Sequence, residues 1–122
     1  MIKNVVIIGG SKGIGLTMSK KFLQEKNIVH IISRNRAKNL EEGLEGKVFF
    51  YNCDASKIDE LSLVRKKILK NSDGNIDVVV CNVGNGSGSN KYIQDFDEWD
   101  KSWQTNFNSP VFSSRIFLDD LK

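Results

Sequence analysis

Short, unbroken apolar runs alternate along this chain with stretches in which apolar residues recur every three or four positions. Residues 5–8 (VVII) carry no polar gap, the mark of a strand buried on both faces. From 14 to 26, Ile14, Met18, Phe22 and Leu23 fall at helical spacing, with Ser19, Lys20, Lys21 and Glu25 between them. A second strand is predicted at 28–33 (IVHIIS), a short helix over 37–46 ended by Gly46, and a third strand at 47–52 (KVFFYN). The next helix opens at Ser56 or Lys57, with Ser56 as a plain N-cap, and carries Ile58, Leu61, Val64, Ile68 and Leu69 on one side. The tetrad SDGN at 72–75 breaks the chain. Residues 76–82 (IDVVVCN) read as a fourth strand and 83–90 (VGNGSGSN) as a βα loop. A last helical stretch starts at Asp95 or Asp97. Phe96, Trp99, Trp103 and Phe107 recur along it, so one face is expected on the sheet.

Alternating strands and helices with continuous apolar strands imply an α/β fold, a parallel sheet covered on both faces. Right-handed crossovers reduce the choices to strand order 3-2-1-4, half of a doubly wound sheet. The 122 residues fit one domain, 1–122. Strand four then lies at an edge with neither charge nor proline to guard it, so self-association through that edge or through the last helix is expected.

Between strand one and its helix stands IGGSKGIG, residues 8–15. Parallel strands end where helices begin, and the first helix aims unsatisfied backbone N–H groups at that rim, where a pyrophosphate can sit. Gly9 permits a turn without a Cβ, while Gly13 and Gly15 let backbone approach the ligand and helix approach strand. Strand before and helix after make the glycine pattern specific.

These residues resemble the short-chain dehydrogenases/reductases, whose fingerprint Thr-Gly-x-x-x-Gly-x-Gly is matched at Gly9, Gly13 and Gly15, with Ile8 in place of the threonine. That threonine's hydroxyl normally ties the loop to neighbouring backbone. Asp54-Ala55 looks like the family's adenine-contacting pair, Cys81-Asn82-Val83-Gly84 like its Asn-Asn-Ala-Gly, and Asn106 like the asparagine of its catalytic set. The resemblance implies a Rossmann-like, NAD(P)-binding oxidoreductase moving hydride to or from a carbonyl or alcohol. Its cofactor-binding set falls on Gly9, Ser11, Lys12, Gly13, Ile14 and Gly15; on Ser33, Arg34 and Arg36; on Asp54 and Ala55; and on Asn82, Val83 and Gly84.

An NAD site usually carries a carboxylate about 20 positions beyond the glycines. Here Ser33 holds that place, and Arg34 and Arg36 follow. A guanidinium can grip a ribose 2′-phosphate that a carboxylate would repel, and Lys12 lies within reach of the same group. NADP(H) is therefore expected over NAD(H). Pro110, four residues after Asn106, cannot donate to its carbonyl and should kink the helix, leaving that carbonyl to hold a water.

The family's chemistry also uses a serine and a Tyr-x-x-x-Lys, the lysine lowering the tyrosine pKa. Neither tyrosine here qualifies, since four residues after Tyr51 and Tyr92 stand Ala55 and Phe96. The chain reads as truncated before a fifth strand and inactive alone. A non-catalytic nucleotide-binding or interaction module and an inert remnant stay open as alternatives. The only histidine, His30, falls mid-strand as a packed core residue, and Cys53 and Cys81 read as buried thiols of a reducing cytoplasm. There is no metal-ligand cluster. Net charge is +3, an excess that argues neither for nor against nucleic acid; the basic residues read as solvated helix faces, and no nucleic-acid partner is expected. No apolar run nears the roughly 18 residues of a membrane span, and no signal-peptide layout precedes strand one.

Overall fold

The computed structural model describes residues 1–37, 40, 45–84 and 95–121. Its elements are β1 (Asn4–Ile8), α1 (Gly13–Gln24), β2 (Ile28–Ser33), β3 (Lys47–Asn52), α2 (Ile58–Asn71), β4 (Val78–Cys81), α3 (Phe96–Trp103), a π turn (Gln104–Asn108), α4 (Ser109–Phe117) and a closing 3-10 turn (Leu118–Asp120). The strands form one parallel sheet in the order β3-β2-β1-β4. β1 is central: Asn4 pairs with Ile28, and Ile8 pairs with Ile32 on one side and Cys81 on the other.

The unbroken apolar run of β1 is buried on both faces, as its lack of alternation requires. Val5 and Ile7 join Leu23, Val29, Ile31 and Leu40 under α1, whereas Val6 and Ile8 join Leu61, Val64, Ile68 and Phe117 under α2 and α4. Six positions of the helix expected over 37–46 lie outside the described residues, as do the loop 85–90 and Tyr92.

Several expectations are corrected. On the core side of α1 Leu23 is buried and Met18 and Phe22 pack half-buried against it, as expected, together with Gly15 and Ser19; Ile14 is exposed, because close contact between the helix and the glycine loop turns it outward. Pairing in the fourth strand begins at Val78, while Ile76 bridges instead to Leu121. Cys81 is an exposed thiol, unlike buried Cys53, since β4 is an outer strand whose residues are at best half-buried. Phe96, Trp99, Trp103 and Phe107 do not pack on the sheet. The face of this helical stretch that does so is Ser109, Ser113 and Phe117 of α4, and no residue of α3 is buried.

Pro110 interrupts the helix as expected of a residue without an N–H, but the break takes the form of a π turn, with Ser109 N–H donating to Gln104 O, five residues back. His30 is core, as its position suggested, and its polarity is fully used. Asn71 Nδ2 donates to the Tyr51 hydroxyl at 2.9 Å, that hydroxyl donates to His30 Nδ1 at 3.0 Å, and His30 Nε2 donates to Asn4 Oδ1 at 3.1 Å.

Candidate functional site

At the carboxyl ends of the strands a cavity of about 580 Å³ opens, walled by the loops after β1, β2, β3 and β4 and by the π-turn region. Brought together there are Gly9, Ser11, Lys12, Gly13 and Ile14, then Ser33 and Arg34, Asp54 and Ala55, and Asn82, Val83 and Gly84. The sheet explains this convergence: in parallel strands all four loops must leave at the same end.

The β1–α1 loop is built for close approach. Gly9 has φ +85°, and a Cβ on it would lie 2.8 Å from Asn82 O. A Cβ on Gly15 would lie 1.9 Å from Gly9 O, so the first turn of α1 rests directly on the loop. Without the family's threonine, the loop is tied in other ways. Gly9 N–H donates to Ile32 O at 2.8 Å, Asn82 Nδ2 donates to Gly9 O at 3.3 Å, and the Ser19 hydroxyl reaches Gly10 O and Gly15 O. α1 has no side-chain cap at Lys12 and no acidic residue in its first turn. Its positive end faces the cavity uncompensated, a setting that favours an anion.

The second corner holds Ser33 where a carboxylate would select NAD. Ser11 Oγ and Ser33 Oγ are hydrogen-bonded at 2.6 Å, and Ser33 Oγ accepts from Asn35 N–H at 3.0 Å. Arg34 is exposed at the rim. In the third corner, Asp54 Oδ1 accepts from Ser56 N–H at 3.0 Å and from Ser56 Oγ at 2.7 Å, while Asp54 N–H donates to Glu60 Oε2. The Ser56 hydrogen bonds hold the Asp54 carboxyl below its ordinary pKa, aided by the Arg34 and Lys57 charges. Ser56 thus orients Asp54 and does not cap α2, whose N-cap Lys57 makes no side-chain bond. Burial pushes the neighbouring Cys53 thiol up to about 11, so it stays protonated on the cavity floor.

Three predicted residues are not on the cavity wall. Gly15 acts behind it, as packing. Arg36 sits with its guanidinium 4.5 Å from the centre of the Phe50 ring. Asn106 lies on the π turn, its Nδ2 donating to Ser102 O at 3.0 Å and to Ser102 Oγ at 3.3 Å. Conversely, Asn35, Cys53, Ser56, Thr105 and Ser109 line the wall without having been picked out. Ser56 was findable, since an Asp with Ser two residues on is an Asx-turn signal. Thr105 and Ser109 were not, because the π turn decides which side of the helix they face. Among the described residues no cluster of His, Cys, Asp or Glu could hold a metal.

The sequence profile of a family described as short chain dehydrogenase matches residues 3–122. An uncharacterized oxidoreductase, YvrD, of Bacillus subtilis is 32% identical over 126 residues, covering 95% of this chain and 45% of that protein. The 3-oxoacyl-[acyl-carrier-protein] reductase FabG of Chlamydia muridarum is 33% identical, covering 88% of this chain and 45% of its own. Among solved structures, ElxO with NADP bound superposes at TM-score 0.86 with 30% identity, covering 98% of this chain and 50% of that one. The chain spans about half the length of the relatives it matches.

Proposed function

The chain belongs to the short-chain dehydrogenase family, and from that premise we propose that residues 1–122 are the NADP(H)-binding portion of an oxidoreductase acting on a carbonyl or alcohol. The observation that carries this reading is the convergence of the glycine loop, the uncapped start of α1, Asp54-Ala55 and Asn82–Gly84 on one cavity. A nicotinamide dinucleotide fits these residues. The amides of the loop and of the first turn of α1 would take the pyrophosphate, Asp54 and Ala55 the adenine, and Ser11, Ser33, Arg34 and Lys12 the 2′-phosphate. When bound, the cofactor supplies or accepts the hydride.

The preference for NADP(H) rests on Lys12, Arg34 and the hydroxyl at Ser33; Arg36 is engaged by Phe50 and adds little. ElxO, 30% identical, has been solved with NADP bound. These residues contain no Tyr-x-x-x-Lys, so they bind and orient the cofactor and, by themselves, turn over no substrate. They form one NAD(P)-binding domain, incomplete for catalysis, with Asn106 the only residue of the catalytic set.

We place the protein in the cytoplasm, with no membrane or nucleic-acid partner. Among the described residues no helix is long and apolar enough to cross a membrane. Self-association through the β4 edge or the last helix belongs to the same reading. Titration calorimetry tests the cofactor assignment: NADPH should bind at least about tenfold more tightly than NADH, the worth of one charge-assisted contact. Equal affinities overturn the NADP(H) preference, and binding of neither overturns the site.

A further inference from the structure

In the third corner of the cavity most of the polar groups of Asp54 are already engaged. Pairing of β3 with β2 runs on to Cys53, whose N–H donates to Ser33 O at 3.1 Å, so the chain enters the corner in a fixed direction. Asp54 O then accepts from Lys57 N–H at 3.0 Å, and Asp54 N–H donates to Glu60 Oε2 at 3.1 Å. Asp54 Oδ1 accepts twice from Ser56, from its N–H at 3.0 Å and from its hydroxyl at 2.7 Å. Two groups remain. Among the described residues neither Asp54 Oδ2 nor the Ala55 N–H has a hydrogen-bond partner, and both residues line the cavity.

An acceptor and a donor side by side distinguish one purine from another. Adenine meets them with its 6-amino donor beside N1, an acceptor. Hypoxanthine offers the reverse, an O6 acceptor beside an N1–H donor. The Ser56 hydrogen bonds hold the Asp54 carboxyl below its ordinary pKa range, and an ionised carboxylate only accepts. The pair keeps its order only while the carboxylate keeps its orientation. Arg34 and Lys57 both attract its charge, and a carboxylate released by Ser56 can swing toward either. The Ser56 hydroxyl opposes that swing with a charge-assisted bond.

Resting on the cofactor reading, we propose that Ser56 is a positioning residue for the nucleotide. By holding Asp54 through Oδ1 it keeps Oδ2 beside the Ala55 N–H, and the site thereby selects a 6-amino purine over a 6-oxo purine. A 6-oxo purine would leave both protein groups unpaired, and a site built to hydrogen-bond its ligand rejects such an analogue strongly. The selection acts at the purine, apart from the 2′-phosphate that the same reading gives to Lys12 and Arg34.

Calorimetry with NADPH and with reduced nicotinamide hypoxanthine dinucleotide phosphate tests this, because the two share every phosphate. The unaltered chain should bind NADPH at least about tenfold more tightly, the worth of one charge-assisted hydrogen bond. Ser56→Ala should bring that ratio within about threefold, chiefly by weakening NADPH, with unchanged far-UV circular dichroism. Ser56→Thr, which keeps a hydroxyl, should restore it, and neither variant should alter the ratio of NADPH to NADH. Without any cofactor, the carboxyl carbon resonance of Asp54 should titrate at higher pH in Ser56→Ala than in the unaltered chain. A ratio near one in the unaltered chain, or a ratio that Ser56→Ala leaves unmoved, overturns the proposal while the cofactor reading stands. Failure of both nucleotides to bind overturns the two together.

Discussion

Gly15 touches no ligand space, yet its missing side chain decides whether the loop exists. With a Cβ position 1.9 Å from Gly9 O, Gly15→Ala must push α1 off the loop. Stability should fall by roughly 1–3 kcal/mol, the usual cost of overpacking, and both NADPH and NADH binding should be lost. A cofactor titration beside a urea unfolding curve checks this. Lys12 and Arg34 work differently, through charge at the rim. Lys12→Ala with Arg34→Ala should weaken NADPH by about tenfold or more and leave NADH within about twofold. Calorimetry with both nucleotides reads the split. At this scale the sequence was informative because glycine and charge act locally. Arg36 shows the limit, since Phe50, which holds it, is brought alongside by β3.

Among the elements, strand boundaries at β2 and β3 were legible to the residue, because an apolar run bounded by polar residues has few alternative lengths. The aromatic stripe was legible as a face but not as to what it faces. Helical spacing records that Phe96, Trp99, Trp103 and Phe107 align, and the same spacing serves a sheet, a partner or a cofactor. His30 bonds to Asn4 of β1 and Tyr51 of β3, and Asn71 of α2 extends the chain from Tyr51. Burial lowers the His30 pKa from 6.5 to about 4. Above pH 6.5 both folded and unfolded chains hold it neutral, so it contributes no pH dependence there. Between 6.5 and 4 the unfolded chain takes up a proton that the native core refuses, and stability falls as pH falls, by about 3 kcal/mol over the window. Urea unfolding at pH 6.5 and 5.0, before most carboxylates titrate, should show this slope, and His30→Gln should flatten it.

Across the whole molecule, the chain end is clasped to α2. Arg65 Nε and Nη2 donate to Asp120 Oδ2 and Oδ1 at 2.6 and 2.7 Å, and Ile76 bridges to Leu121 beside them. Asp120 is mostly buried, so Asp120→Asn should cost roughly 1–3 kcal/mol in urea unfolding. Hydrogen exchange should quicken in α4 and the closing turn before it quickens in β1.

The order of the strands and the place of the glycine loop were set by the residues alone. Continuous apolar runs must be buried on both faces, and crossovers of one hand leave little choice of neighbours. Tertiary structure alone decided that Thr105 and Ser109 line the cavity, that Cys81 and the aromatic stripe face water, and that Pro110 produces a wide turn and not a sharp bend. Those outcomes depend on which neighbour arrives across space, and a linear pattern records the periodicity of a face without recording what comes to meet it.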